Sequence, residues 1–214
     1  MSTGLSFVVA LDLEFNRPSK NIIQLGAVMG DMLTGNIDSG FSCWVNPGGP
    51  LNPGVSELTG LSQEIADAAP SVDDAYLQLG DWLKPYELIR SLTPLVWGNA
   101  ANADLCTAVG LKPSDEEWFF SAKANNVKQF FALATTHPLL FGLLTRFRIE
   151  TALVGTLEES VVKFGMNFEG QANNAMYRAA NIFRLYRALI NRPDESATST
   201  PEAKAGTGGD QTTT

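Results

Sequence analysis

The chain has 214 residues, 44% of them hydrophobic and 18% charged, enough for one core-forming domain of ordinary size. Its formal net charge of −8 argues against a general nucleic-acid coat, because nonspecific binding rests on cations that neutralise phosphate. An enzyme that takes one strand end into a local site is not excluded. No apolar run reaches the roughly 18 residues of a membrane span, and Met1-Ser2-Thr3-Gly4 lacks the basic start of a signal peptide. Two distant cysteines, Cys43 and Cys106, read as reduced residues of a cytoplasmic protein and cannot form a zinc site.

The first element is Phe7–Phe15, an almost unbroken apolar run that predicts a central strand buried on both faces. Side chains alternate along a strand, so Asp12 and Glu14 share a face that Leu11 and Leu13 do not. Two bare carboxylates are costly to bury unless a cation joins them. A hard divalent ion meets that need through oxygen ligands; a strand end that reaches water meets it equally well. The pattern alone leaves both open.

The polar segment 16–21 predicts a turn, followed by a strand over Ile22–Met29, a reversal at Thr34-Gly35-Asn36 and a third strand over Gly40–Val45. Short turns between three strands suggest an antiparallel meander. Residues 46–54 are too rich in Pro and Gly for regular structure. Ser71 and Asp74 resemble a capping box that opens a helix to about Tyr86. Leu95-Val96-Trp97 predicts a fourth strand, ended by Gly98-Asn99. A helix then starts near Ala101 and carries Asp104, and Val127–Ala134 predicts another. Thr156-Leu157-Glu158-Glu159 is a capping box whose helix Gly165 stops. From Asn174 to Leu189 an apolar stripe of Ala175, Ala179, Ile182, Phe183 and Tyr186 recurs at helical spacing. Past Arg192 the chain holds no Leu, Ile, Val or aromatic residue, so residues 192–214 read as a disordered tail beyond a domain over 1–191. The order of three strands, helix, strand and helices predicts an α/β domain with a mixed sheet flanked by helices.

Three pieces stand in a telling order: Asp-x-Glu at the end of the first strand, Trp97-Gly98-Asn99 before Asp104, and Asn173-Asn174-Ala175-Met176-Tyr177-Arg178-Ala179 at the last helix. Leu58-Thr59-Gly60-Leu61-Ser62, Ala69-Pro70 and Phe164-Gly165-Met166-Asn167-Phe168-Glu169-Gly170 accompany them. Over about residues 6–190 this resembles the DEDD 3′–5′ exonucleases of the ribonuclease H-like fold, of the proofreading-subunit type with a motif histidine. The resemblance implies two Mg²⁺ or Mn²⁺ ions held by four acids, with a histidine as base for the attacking water. Asp12 and Glu14 match the first two acids and Asp104 the third, so the implied catalytic and metal-binding residues are Asp12, Glu14 and Asp104. A solvated helix acid is the competing reading of Asp104.

The third motif departs from the family's His-x-Ala-x-x-Asp-Ala. Its alanines are kept, but Asn173 stands for the histidine and Arg178 for the last acid. Asn173 has no pKa usable by a general base, and Arg178 is cationic, offers no lone pair and would repel a divalent ion. The sole histidine, His137, is a loop or cap residue unless it substitutes as base. Arg178 either snorkels to solvent or locks the former metal site through charge-assisted hydrogen bonds to the acids. The lock is favoured because desolvated acids need a partner.

The reading is therefore an exonuclease-like protein with impaired chemistry, a pseudo-exonuclease that binds a protein or a single-stranded DNA or RNA 3′ end and possesses no obligatory metal. The alternative is an active exonuclease that uses Mg²⁺ or Mn²⁺ on Asp12, Glu14 and Asp104. A third reading has the acidic surface binding a basic protein. Trp97, Trp118, Phe119 and Phe120 either stack bases or, more in keeping with their apolar neighbours, pack into the core.

Overall fold

In a computed structural model of the chain, residues 7–86, 94–98, 100–112, 115, 125–135 and 155–191 are described. The five-stranded sheet has the order β3-β2-β1-β4-β5. Its strands are β1 (Phe7–Asn16), β2 (Asn21–Asp31), β3 (Ile37–Trp44), β4 (Leu95–Val96) and β5 (Asn125–Asn126). β1 is the central strand. It pairs antiparallel with β2 and parallel with β4, and β2 pairs antiparallel with β3, which gives the expected meander inside a mixed sheet. β5 is a two-residue strand without an apolar pattern, so periodicity alone does not predict it.

Helices cover both faces. α1 (Pro53–Thr59), α2 (Gln63–Ala68), α3 (Val72–Leu83) and α4 (Ala100–Ala108) follow the meander, and α5 (Val127–Thr135), α6 (Leu157–Lys163) and α7 (Ala175–Ile190) complete the described elements. Two of these correct the sequence reading. Pro53 and Gly54 belong to α1, because proline at the start of a helix gives up only an N–H that would be unpaired anyway. Asn52 caps that helix by accepting from the Gly54 N–H at 2.9 Å. Ser71 is an N-cap for α3, accepting from Asp74 N at 3.1 Å, but its hydroxyl donates to the Asp74 carboxylate, so the reciprocal half of the box is missing.

The alternation along β1 sorts the core. Val9, Leu11 and Leu13 enter a cluster with Tyr76 and Leu79 of α3 and Leu105 of α4. Ala10 faces the other way, with Phe131 of α5, Val161 of α6 and Ile182 and Phe183 of α7. Asp12 follows Ala10 on that second side, under α7.

α7 lies close against the sheet because β2 is built to receive it. A side chain at Gly26, which pairs with Asp12, would come within 2.2 Å of the α7 backbone at Ala175 and Met176. Gln24 is buried and committed at both ends: its Oε1 accepts from Ala175 N at 2.9 Å and its Nε2 donates to Ser42 at 3.1 Å. Asn174 caps the helix by accepting from Met176 N and Tyr177 N. The motif alanines Ala175 and Ala179 are fully buried, since any larger side chain would push α7 off the sheet. Among the described residues no helix is long and apolar enough to cross a membrane. His137, Trp118, Phe119, Phe120 and the tail lie outside the described residues.

Candidate active site

The end of β1 and the first turns of α6 and α7 enclose a cleft of about 680 Å³. Asp12 and Glu14 form its floor, Val55, Leu58 and Thr59 of α1 one wall, and Trp97 and Ala101 another. Strand periodicity puts both acids on the α7 side, and the docking of α7 on Gly26 puts Arg178 over them, one turn into the helix.

The Arg178 guanidinium is the hub. Its Nε donates to Asp12 Oδ2 at 2.5 Å and lies 3.5 Å from Glu14 Oε1. Its NH1 donates to Glu158 Oε1 and, at 3.3 Å, to the carbonyl of Ala172. The Arg178 side chain is 20% exposed and that of Asp12 is 9% exposed. Charge-assisted bonds of this kind are stronger than neutral ones when water is largely excluded. Of the two fates open to Arg178 in the sequence, the structure has the inward one.

Electrostatics follow burial. Desolvation pushes the Asp12 carboxyl above the usual carboxylate range, against the pull of Arg178. Glu14 is pushed up to about 7 by burial, with Arg178 drawing it down and Asp12 adding to the rise. Burial works against the Arg178 charge, but Asp12 and Glu158 outweigh it and hold the guanidinium above its ordinary value.

Glu14 therefore binds a proton more tightly folded than unfolded, and stability is expected to fall as pH rises from 4.5 to about 7. The full decline attributable to Glu14 is ~3 kcal/mol, at 1.36 kcal/mol for each pH unit of displacement. Urea denaturation of the protein and of Glu14→Gln across that window checks this. The stability gap in favour of the variant should widen with pH, and a constant gap would contradict it.

Asn173, at the place of the motif histidine, is half-buried on the cleft wall and its Nδ2 donates to the Leu58 carbonyl at 3.3 Å. Asp104 is placed differently. It is exposed on α4 and lines a second concavity with Arg17, Lys20 and Val72, while the cleft receives Ala101 from the start of the same helix. The structure thus brings together Asp12, Glu14, Asn173 and Arg178, and does not bring Asp104 to them. Glu158, which the sequence offered only as part of a capping box, is the acid that joins the cluster instead.

Among the described residues no three His, Cys, Asp or Glu side chains are grouped to hold a metal ion. The lone pairs a divalent ion would use on Asp12 and Glu14 face a fixed guanidinium, whose charge would repel the ion. As arranged, these residues do not fit Mg²⁺ or Mn²⁺.

Zebrafish (Danio rerio) ERI1 exoribonuclease 2 is 23% identical over 94% of this chain, which spans 38% of that relative's length. The nuclease domain of 3′hExo, a DEDDh family member solved with bound rAMP, superposes with a TM-score of 0.67 at 19% identity, covering 90% of this chain and 96% of that one. S. pombe Pop2p, solved with Mg²⁺ and Mn²⁺, superposes with a TM-score of 0.55 at 16% identity, covering 86% and 83%. These likenesses carry the ribonuclease H-like fold. Residues 9–114, from the central strand through α4, match the exonuclease family RNase_T, and this match, together with the relatives above, supports kinship with the DEDD-type 3′–5′ exonucleases.

Proposed function

We propose that this protein is a pseudo-exonuclease: it keeps the family's cleft to bind a single-stranded DNA or RNA 3′ end and has lost the hydrolytic chemistry. The observation that carries this reading is the guanidinium of Arg178, seated between Asp12, Glu14 and Glu158 where the family's motif places an acid. Without a metal there is no Lewis acid for the scissile phosphate, and Asn173 cannot take a proton from water. Binding does not need either group. Beside the locked cluster, the cleft offers the cations Arg17 and Lys128 and the rings of Phe15 and Trp97, groups suited to a phosphate and a terminal base. The nucleotide bound by the 3′hExo domain is in keeping with such a ligand.

The alternative is an active exonuclease that takes Mg²⁺ or Mn²⁺ on Asp12, Glu14 and Asp104. It would require Arg178 to leave the cleft and Asp104 to approach it.

Labelled single-stranded DNA and RNA, incubated with Mg²⁺ or Mn²⁺, separate the two. The pseudo-exonuclease binds both and releases no nucleotide above the level of Asp12→Ala. The pair Asn173→His with Arg178→Asp should gain metal-dependent release, because it returns the missing base and acid to an intact frame. Turnover by the unmodified protein that vanishes in Asp12→Ala would overturn the proposal. Failure to bind either strand, with no turnover, would leave a protein partner as the cleft's occupant.

A further inference from the structure

We infer that Glu158 is a positioning residue that aims the Arg178 guanidinium into the acidic cleft, the second half of the lock whose first half is Arg178. The inference rests on the locked-site reading above and extends it to a residue outside the family's motifs.

Thr156 opens α6 as its N-cap. Two adjacent glutamates stand there, and the capping box uses one of them. Glu159 Oε2 accepts from Thr156 N at 2.9 Å while Thr156 Oγ1 accepts from Glu159 N at 3.2 Å, so the helix start is closed without Glu158. Glu158 turns into the cleft and its carboxylate pairs with Arg178 NH1. A guanidinium is planar, with donors fixed in a fork, so anchoring two separate edges fixes its orientation. Asp12 and Glu14 engage the Nε edge, and Glu158 with the Ala172 carbonyl engages NH1.

The two anchors come from different parts of the chain. Asp12 and Glu14 lie on β1, Glu158 on α6, and Arg178 on α7. The Ala172 carbonyl belongs to the segment that leads into α7, and Asn181 pins that segment through Glu169, accepting from its N–H at 3.1 Å and donating to its carbonyl at 2.8 Å. With Glu158 removed, one edge of the guanidinium keeps a neutral acceptor at 3.3 Å, and the long side chain regains a path toward solvent. Glu158 is thus the charge that keeps Arg178 from snorkelling.

The readout is exchange of the Arg178 Nε–H proton with water, followed by NMR in the full chain labelled with ¹⁵N-arginine and assigned by its loss in Arg178→Leu. Exchange should be about tenfold faster in Glu158→Ala than in the unmodified protein, with a smaller acceleration in Glu158→Gln, which retains an oxygen acceptor. Backbone amide signals of α6 should stay in place in both variants, since Thr156 and Glu159 still cap it. Exchange within about twofold of the unmodified protein in both variants would overturn the inference, leaving Asp12 and Ala172 as sufficient anchors. Faster exchange accompanied by loss of the α6 amide signals in both variants would also overturn it, by assigning Glu158 to the helix. Mn²⁺ titration followed by electron paramagnetic resonance tests the underlying reading separately. Mn²⁺ bound as tightly by the unmodified protein as by Arg178→Leu would sink the locked site, whatever the exchange rates.

Discussion

Replacing Arg178 with methionine should cost about 3 kcal/mol of folding stability near neutral pH, the size typical when one partner of a buried ion pair is removed. Methionine keeps most of the hydrophobic stem and deletes the charge, so the loss reports the acids left behind. Asp12 and Glu14 would then face each other, with Glu158 nearby, in a cleft where burial already pushes both strand acids above their usual range. The penalty comes from leaving charges uncompensated and is not the net worth of the ion pair. It should therefore shrink as pH falls and the carboxyls protonate. Urea denaturation at several pH values checks both parts. A loss under about 0.5 kcal/mol at neutral pH would place Arg178 with ordinary surface pairs and remove it as the organiser of the cleft.

Gly26→Ala should be comparably damaging, at about 3 kcal/mol, near the upper end for overpacking. The added methyl would lie 2.2 Å from two backbone atoms of α7, Ala175 C and Met176 N, and backbone cannot rotate away as a side chain can. Relief requires α7 to lift from β2. That would break the bond from Ala175 N to buried Gln24 and carry Arg178 off the acids. Gly49→Ala is the control, since a methyl there meets nothing within 4 Å. Thermal unfolding of the two variants, with hydrogen exchange over residues 174–180, reads out both the stability and the seat of the helix. Equal stability of Gly26→Ala and Gly49→Ala would show that the helix-to-sheet contact is looser than described.

Arg178 and Gly26 belong to one arrangement. A central strand supplies the acids, a glycine on its neighbour lets a helix approach, and that helix delivers a cation where the family's motif has an acid. Under the proposed reading, this exchange replaces a carboxylate ligand of the ion with a competitor for its place.

Much of this was legible in the chain itself. The apolar run of β1, interrupted only by Asp12 and Glu14, determined a buried strand and put both acids on one face, because side-chain alternation is a property of extended backbone and needs no partner. The spacing of Ala175 and Ala179 determined a helix with a small-residue face. Set against the motif that the chain resembles, Asn173 and Arg178 differ at its two chemical positions. Local sequence also gave the capping box at Thr156, a contact between residues three apart.

The tertiary structure decided which charges meet. Glu158 and Arg178 are 20 positions apart, and Arg178 and Asp12 are 166 apart. No periodicity relates such residues, and their meeting depends on how α6 and α7 pack on the sheet. The same packing decided against a meeting of Asp104 with the strand acids, since the rotation of α4 on the core turns Asp104 to the second concavity and Ala101 to the cleft. A sequence fixes which groups exist and which face of their own element they share. Whether three acids from two elements converge on an ion or on a guanidinium is set by helix position and rotation, to within the few ångströms over which a hydrogen bond forms or fails.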